Sequence, residues 1–420
     1  EILRCLVGSE MCIRDSYSYN RSNMNRGYSE TLEHISAKRD GLNGWSSVGS
    51  SISIEKLLEL TVQYDLNIKR NKFTILAGYS YDENDYEQIW VDNYGFQDDY
   101  FGGWHNIGIG SALKDGKANV GTSKVNTNLI GFFGRATYSY DNRYLLDFNY
   151  RSDGASMFGT NNRFRNTWSV GVGWNIQNER FLRDSKFFQL LKLRASVGNP
   201  GNQNFAAYQA FSTYAFNGWM TNIFGTGVIL NQLGNPDLAW QETVNYNVGT
   251  DVTVWGNRVN VTFDYYVKIT DPLLAIITTP GSMGITSVTM NAGQQKTNGV
   301  ELTLKVSPVY RPHDRINWNI SLNGTHAKAK YAKIGNAFSS LNNEGRASLS
   351  GMTRYYDGGS PTAIWGVRSA GIDPATGKEL FIKKDGTYSF SYDVNDEVVL
   401  GDTEPKLEGC LLYTSDAADD

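Results

Sequence analysis

Cysteine is almost missing from this 420-residue chain: there are three, Cys5, Cys12 and Cys410, all close to the ends. Residues 17–409 therefore have no disulfide framework and no thiol chemistry. No run of about 18 apolar residues occurs, so no helix is expected to cross a membrane. That absence leaves a transmembrane β-barrel open, because there the apolar positions come at every second residue and hydropathy averages them away. Histidine is scarce too. His34, His105, His313 and His326 are scattered and make no HExxH site. There is no GxSxG elbow and no P-loop, so the chain is not read as an enzyme. No catalytic residue, metal ligand or cofactor is expected.

A charge surplus is also lacking. The end segments 1–16 (EILRCLVGSEMCIRDS) and 410–420 (CLLYTSDAADD) do not continue the pattern of the rest and read as translated adapter sequence. They hold Arg4 and Arg14 of the 39 bases, and Glu1, Glu10, Asp15, Asp416, Asp419 and Asp420 of the 43 acids. The remaining 17–409 balances at 37 of each. Nothing in that balance suits nucleic acid.

What the chain does have is a rhythm. In 61–69, Val62, Tyr64, Leu66 and Ile68 alternate with Gln63, Asp65, Asn67 and Lys69. In 258–270, Val259, Val261, Phe263, Tyr265, Val267 and Ile269 alternate with polar residues that include Asn260, Asp264 and Lys268. The same period of two runs through 73–81, 131–140, 143–152, 167–176, 191–198, 243–255, 299–307 and 315–325. Such alternation means a strand with two unlike faces. The spacing alternates as well. Turns or moderate links at Arg70-Asn71, Asp141-Asn142, 177–190, Gly256-Asn257 and 308–314 are followed by loops at 82–128, 153–166, 199–242, 271–298 and 326 onward. Strands of about 9–11 residues with short turns on one rim and long loops on the other are the pattern of an outer-membrane barrel. An open antiparallel sheet with one solvated face would alternate in the same way. Only closure separates the two, since an unpaired strand edge is untenable in lipid.

Two of the loops are rich in aromatics. Trp90, Tyr94, Phe96, Tyr100, Phe101 and Trp104 sit among Asp92, Asp98 and Asp99, and seven more lie in 205–224. Aromatic faces beside carboxylates and amides suit sugar rings, which stack through their apolar face and bond through their hydroxyls. Tyr100, Trp104, Tyr214 and Trp219 are the candidate stacking platforms. The plainer reading is that these rings pack the loops onto one another or onto a partner. Asp385, Asp393 and Asp396 lack calcium-loop spacing.

Several segments resemble the SusC/RagA family of TonB-linked outer-membrane proteins. RSDGASMFG (151–159) with Asn161, Asn162 and Arg163 is similar to the family's RxDGSSxFG and NNR. SVGNPGNQ (196–203), NPDLAWQE (235–242), DYY with Lys268, Thr270 and 271–274, and Asn291-Ala-Gly with NGVE (298–301) follow in the family's order. So do GIDP (371–374) with Thr376-Gly377, and Gly401-Asp402 with Pro405-Lys406. Pro200, Thr403 and Glu404 depart from the usual residues.

The resemblance implies an all-β fold: 17–409 would be part of a plugged transmembrane antiparallel barrel of about 22 strands, with plug and C-terminal strands missing. It implies a TonB-dependent importer of oligosaccharides or peptides in the cell outer membrane. A SusD-like surface lipoprotein, outer-membrane lipid and, through the missing N-terminal part, the TonB complex would be its partners. A TonB-dependent receptor for iron chelates or cobalamin shares the architecture. A secreted β-propeller or lectin is the alternative of another class, and it predicts blade repeats of about 40–50 residues, which are not found.

Overall fold

Period-two alternation becomes strand along most of the chain. The computed structural model describes residues 2–5, 11–39, 41–100, 103–157, 161–200, 210–223, 225–239, 241–311, 316–348 and 352–416. The early strands are β1 (Ile2–Cys5), β2 (Met11–Glu30), β3 (Trp45–Ile68), β4 (Asn71–Tyr94), β5 (Asn119–Tyr140), β6 (Tyr144–Ala155), β7 (Phe164–Asn175) and β8 (Phe188–Asn199). A loop hairpin follows, β9 (Thr213–Asn222) and β10 (Gly225–Gln232), then β11 (Thr243–Val254) and β12 (Val259–Thr270). A second loop hairpin, β13 (Leu274–Thr278) and β14 (Ser287–Asn291), precedes β15 (Gln294–Arg311) and β16 (Ile316–Ala332). The last group is β17 (Ala363–Gly366), β18 (Arg368–Ile372), β19 (Glu379–Ile382), β20 (Tyr388–Ser389), β21 (Val398–Asp402) and β22 (Glu408–Asp416). Among the described residues, thirteen of these strands form one antiparallel sheet, and the others make small sheets within loops. The chain divides into two units: Glu1–Gln63 with Ala77–Phe133 and Asp153–Met157, and Tyr64–Leu76 with Gly134–Ser152 and Phe158–Asp420.

In the second unit, β7, β8, β11, β12, β15, β16 and β22 are hydrogen-bonded in that order. The register sorts polar and apolar residues into alternate rows. Ala195, Val248, Tyr265 and Val300 lie side by side across β8, β11, β12 and β15. The next row is Arg194, Gly249, Asp264 and Glu301. The apolar rows are bare: Val248 is 59% exposed and Tyr246 49%. The large apolar residues of this unit that are buried, Leu238, Ile277, Ile285 and Phe338, lie outside the main sheet instead. An apolar sheet face that finds no protein to cover it is what lipid requires and water does not tolerate. The tight turn expected at Asp141-Asn142 is present. Both residues have positive φ, 53° and 52°, the signature of a type I′ hairpin, closed by Arg143 N–H donating to the Tyr140 carbonyl at 2.8 Å.

The strands β3 and β4 depart from the sequence reading in length. β3 and β4 have 24 residues each, about 80 Å at roughly 3.3 Å per residue, far more than lipid needs. The segment 82–128, read as one long loop, is strand up to Tyr94 and again from Asn119. The physical reason is that both faces of this stretch are polar, so no apolar face advertises a strand. Cross-strand polar pairs hold it instead. Lys56 Nζ meets Glu83 at 3.1 Å, Lys124 Nζ meets Glu87 at 2.5 Å, and Ser47 Oγ donates to Asp92 at 2.6 Å.

Candidate functional site

The wet face of the second unit carries charges matched across strands. Arg135 donates to Asp147 through Nε at 3.0 Å and Nη2 at 2.8 Å. Arg194 donates to Asp251 at 3.2 Å and to Asp264 at 2.6 Å. Arg135, Asp147 and Arg194 line a depression of about 590 Å³, with Lys72, Thr74 and Lys192 also on its wall. Charged side chains placed along such a surface can guide a polar solute. No group of three metal-ligating side chains occurs among the described residues.

The aromatic candidates fall in both units, so each is described in its own. In the first, Tyr100 is 88% exposed, its N–H donating to Asp98 Oδ1 at 2.9 Å. Trp104 is 39% exposed and lies flat on Gly27 of β2. A Cβ at Gly27 would fall 2.0 Å from the indole. The Trp104 N–H donates to Ser29 Oγ at 2.8 Å, and its ring meets His105 at 3.6 Å between centroids. Glycine is thus the residue that lets this tryptophan seat against the strand. Trp90 on Gly121 and Phe133 on Gly78 repeat the arrangement. In the second unit Tyr214 stands 66% exposed on β9, register partner of Leu230 on β10. Trp219 belongs to the same strand, and its side chain lies outside the described residues, as do Phe101, Phe205, Tyr208 and Phe224.

Three segments picked out by resemblance meet in space. Asn161 Nδ2 donates to Asp237 Oδ1 at 2.8 Å, and Asn162 Nδ2 donates to the Asp237 carbonyl at 3.0 Å. The Asn291 side chain both accepts from the Ala239 N–H at 2.8 Å and donates to its carbonyl at 2.9 Å. Leu238, between these anchors, is 1% exposed. Side-chain amides suit this task because one group supplies donor and acceptor together.

A second knot organises the long loop between β16 and β22. Glu397, 1% exposed, accepts from Arg346 Nε at 2.7 Å and from Arg354 Nε at 3.0 Å. Arg346 also donates to the Tyr356 hydroxyl at 2.6 Å. Burial pushes the Glu397 carboxyl up, but hydrogen bonds and charge from Arg354 and Arg346 outweigh it and hold it below the ordinary glutamate range. Sequence reading found none of these charged partners. Their residues are far apart in the chain, and only strand register and loop packing bring them together.

Comparison with known proteins agrees with this geometry. The family model described as TonB dependent receptor-like, beta-barrel, matches residues 10–404. TonB-dependent receptor P39 of Formosa agariphila is 29% identical over 74% of this chain and 33% of its own length. TonB-dependent receptor SusC of Bacteroides thetaiotaomicron is 29% identical over 69% of this chain and 28% of its own. A solved structure of the RagAB peptide transporter superposes with a TM-score of 0.82 at 24% identity, over 97% of this chain and 44% of that one; the likeness is one of fold. The chain spans about a third of the length of the curated relatives it matches.

Proposed function

The chain belongs to the TonB-dependent receptor-like β-barrel family of the outer membrane, a family of receptors and not of enzymes, and from that premise we propose that it is wall and loop structure of an energised importer of oligosaccharides. The observation that carries the reading is the row structure of the sheet: a bare apolar row such as Ala195–Val248–Tyr265–Val300 beside the charged row of Arg194 and Asp264. One row meets lipid and the other meets a water-filled interior. The folded loops stand on the rim opposite the tight turn at Asp141-Asn142, the extracellular side. There they would meet substrate and a SusD-like lipoprotein lid. Energy would come from the TonB complex acting through parts of the protein beyond this chain. Tyr100, Trp104, Tyr214 and Trp219 are the proposed stacking residues.

The test is glycan binding by the complete protein. Trp104→Ala combined with Trp219→Ala should weaken binding about tenfold, the loss of roughly 1.4 kcal/mol of stacking. Unchanged affinity would remove these two residues from the account. Binding of peptides with no glycan bound would replace the substrate. A growth defect confined to iron limitation would favour the iron-chelate receptor.

A further inference from the structure

From Ala195 to Pro236 the sequence holds no Asp, Glu, Lys, Arg or His, in a chain that is 20% charged overall. This stretch builds the β9–β10 hairpin. One face of the hairpin presents Tyr214 (66% exposed), Phe216 (79%) and Val228 (50%), with Phe216 and Val228 paired across the ladder. Its polar residues are amides and hydroxyls; Asn231 Nδ2 reaches Thr213 Oγ1 at 3.4 Å.

The foot of the hairpin is anchored. A Cβ at Gly234 would lie 2.4 Å from the Ser212 nitrogen, so the two ends of the hairpin cross in close contact. The chain then enters the anchor made by Asn161 and Asn162 on Asp237, and by Asn291 on Ala239. The first charge after the neutral stretch is therefore the one that fastens it.

We infer that the β9–β10 hairpin is a binding surface for a neutral oligosaccharide, and that Asp237 and Asn291 are positioning residues that hold it in place. The inference rests on the oligosaccharide reading above and narrows it. An aromatic face stacks on a sugar ring and amides bond its hydroxyls, whatever the sugar. A uronic or sulfated glycan would bring anions to a hairpin whose own sequence supplies no cation to pair with them, and stripping water from an unpaired charge is costly.

The complete protein is tested with size-matched probes: neutral gluco-, manno- and xylo-oligosaccharides, acidic oligogalacturonates, and peptides. A neutral probe should bind with an affinity that changes less than about twofold between low and high salt, since no charge pair is screened. Tyr214→Ala with Phe216→Ala should weaken it about tenfold. Asn291→Ala should weaken it several-fold with the amount of heat-modifiable barrel unchanged. Asp237→Asn, which keeps the acceptor oxygen, should bind as the parent does, where Asp237→Ala does not. Tighter binding of oligogalacturonate, no binder among the neutral probes, or indifference to the hairpin variants overturns the inference. Of these, acidic glycan binding leaves the oligosaccharide-importer reading standing, whereas peptide binding without any glycan defeats both.

Discussion

Arg194 on β8 bonds Asp264 on β12 at 2.6 Å, across the full width of the strand between them. Gly249 on that middle strand is the register partner of both. A Cβ there would stand 2.9 Å from the guanidinium carbon and 2.4 Å from the Asp264 carboxylate. The glycine is the gap through which the bridge passes.

Gly249→Val should therefore part the pair. The expected cost is about 1.5–3 kcal/mol, the range for a hydrogen bond to a charged group, read as a lower unfolding temperature of the complete barrel in detergent. In the Asp264→Ala background the same change should cost much less. Equal losses in both backgrounds would show that the glycine has nothing to do with the bridge.

Glu397 makes a pH prediction. Its carboxyl is held below the ordinary range in the folded loop by Arg354 and Arg346, against the upward push of burial. A depressed folded pKa gives stability that is complete above the unfolded glutamate value of about 4.3 and is lost as pH falls through the folded value. Hydrogen-exchange protection of the helix Ala337–Ser348, corrected for intrinsic rate, should be level from neutral pH down to about pH 5 and drop below about pH 4. Glu397→Gln should lower protection at neutral pH, by about 3 kcal/mol for a buried pair broken on one side, and flatten the acid step. An unaltered acid step in Glu397→Gln would assign it to other carboxylates.

The outer parts of β3, β4 and β5 make a third. Because Asp82–Tyr94 is strand and not loop, limited proteolysis of the complete protein should cut within 95–118 and spare 82–94. Cuts spread evenly over 82–128 would contradict the ladder that Lys56–Glu83 and Lys124–Glu87 hold.

The amino-acid sequence carries some of these features and not others. In 243–255 and 258–270 the strands were legible because lipid on one side and water on the other force alternation. In 82–94 both sides are wet, the requirement lapses, and pairing partners on other strands decide. Tyr100 and Trp104 look alike in sequence, yet Trp104 sits on Gly27, a contact no local pattern encodes. The Asn161–Asp237 bond joins segments that lie 76 residues apart, and neither segment names its partner in the sequence.

With Cys5, Cys12 and Cys410 replaced by serine, single cysteines can report on the two faces. Phe148→Cys, on the exposed apolar side of β6, should be shielded from a membrane-impermeant maleimide in membranes. Lys192→Cys, on the wall of the polar depression, should react at least about tenfold faster once the interior is opened to water. The reverse order would place lipid on the wrong side of the sheet.

The most direct test of the account is uptake. Cells whose only source of this activity is the complete protein are given a fluorescent neutral oligosaccharide, with and without a functional TonB complex. The probe should accumulate inside the outer membrane only where both the protein and TonB are present. Accumulation that persists when either is removed would contradict the account.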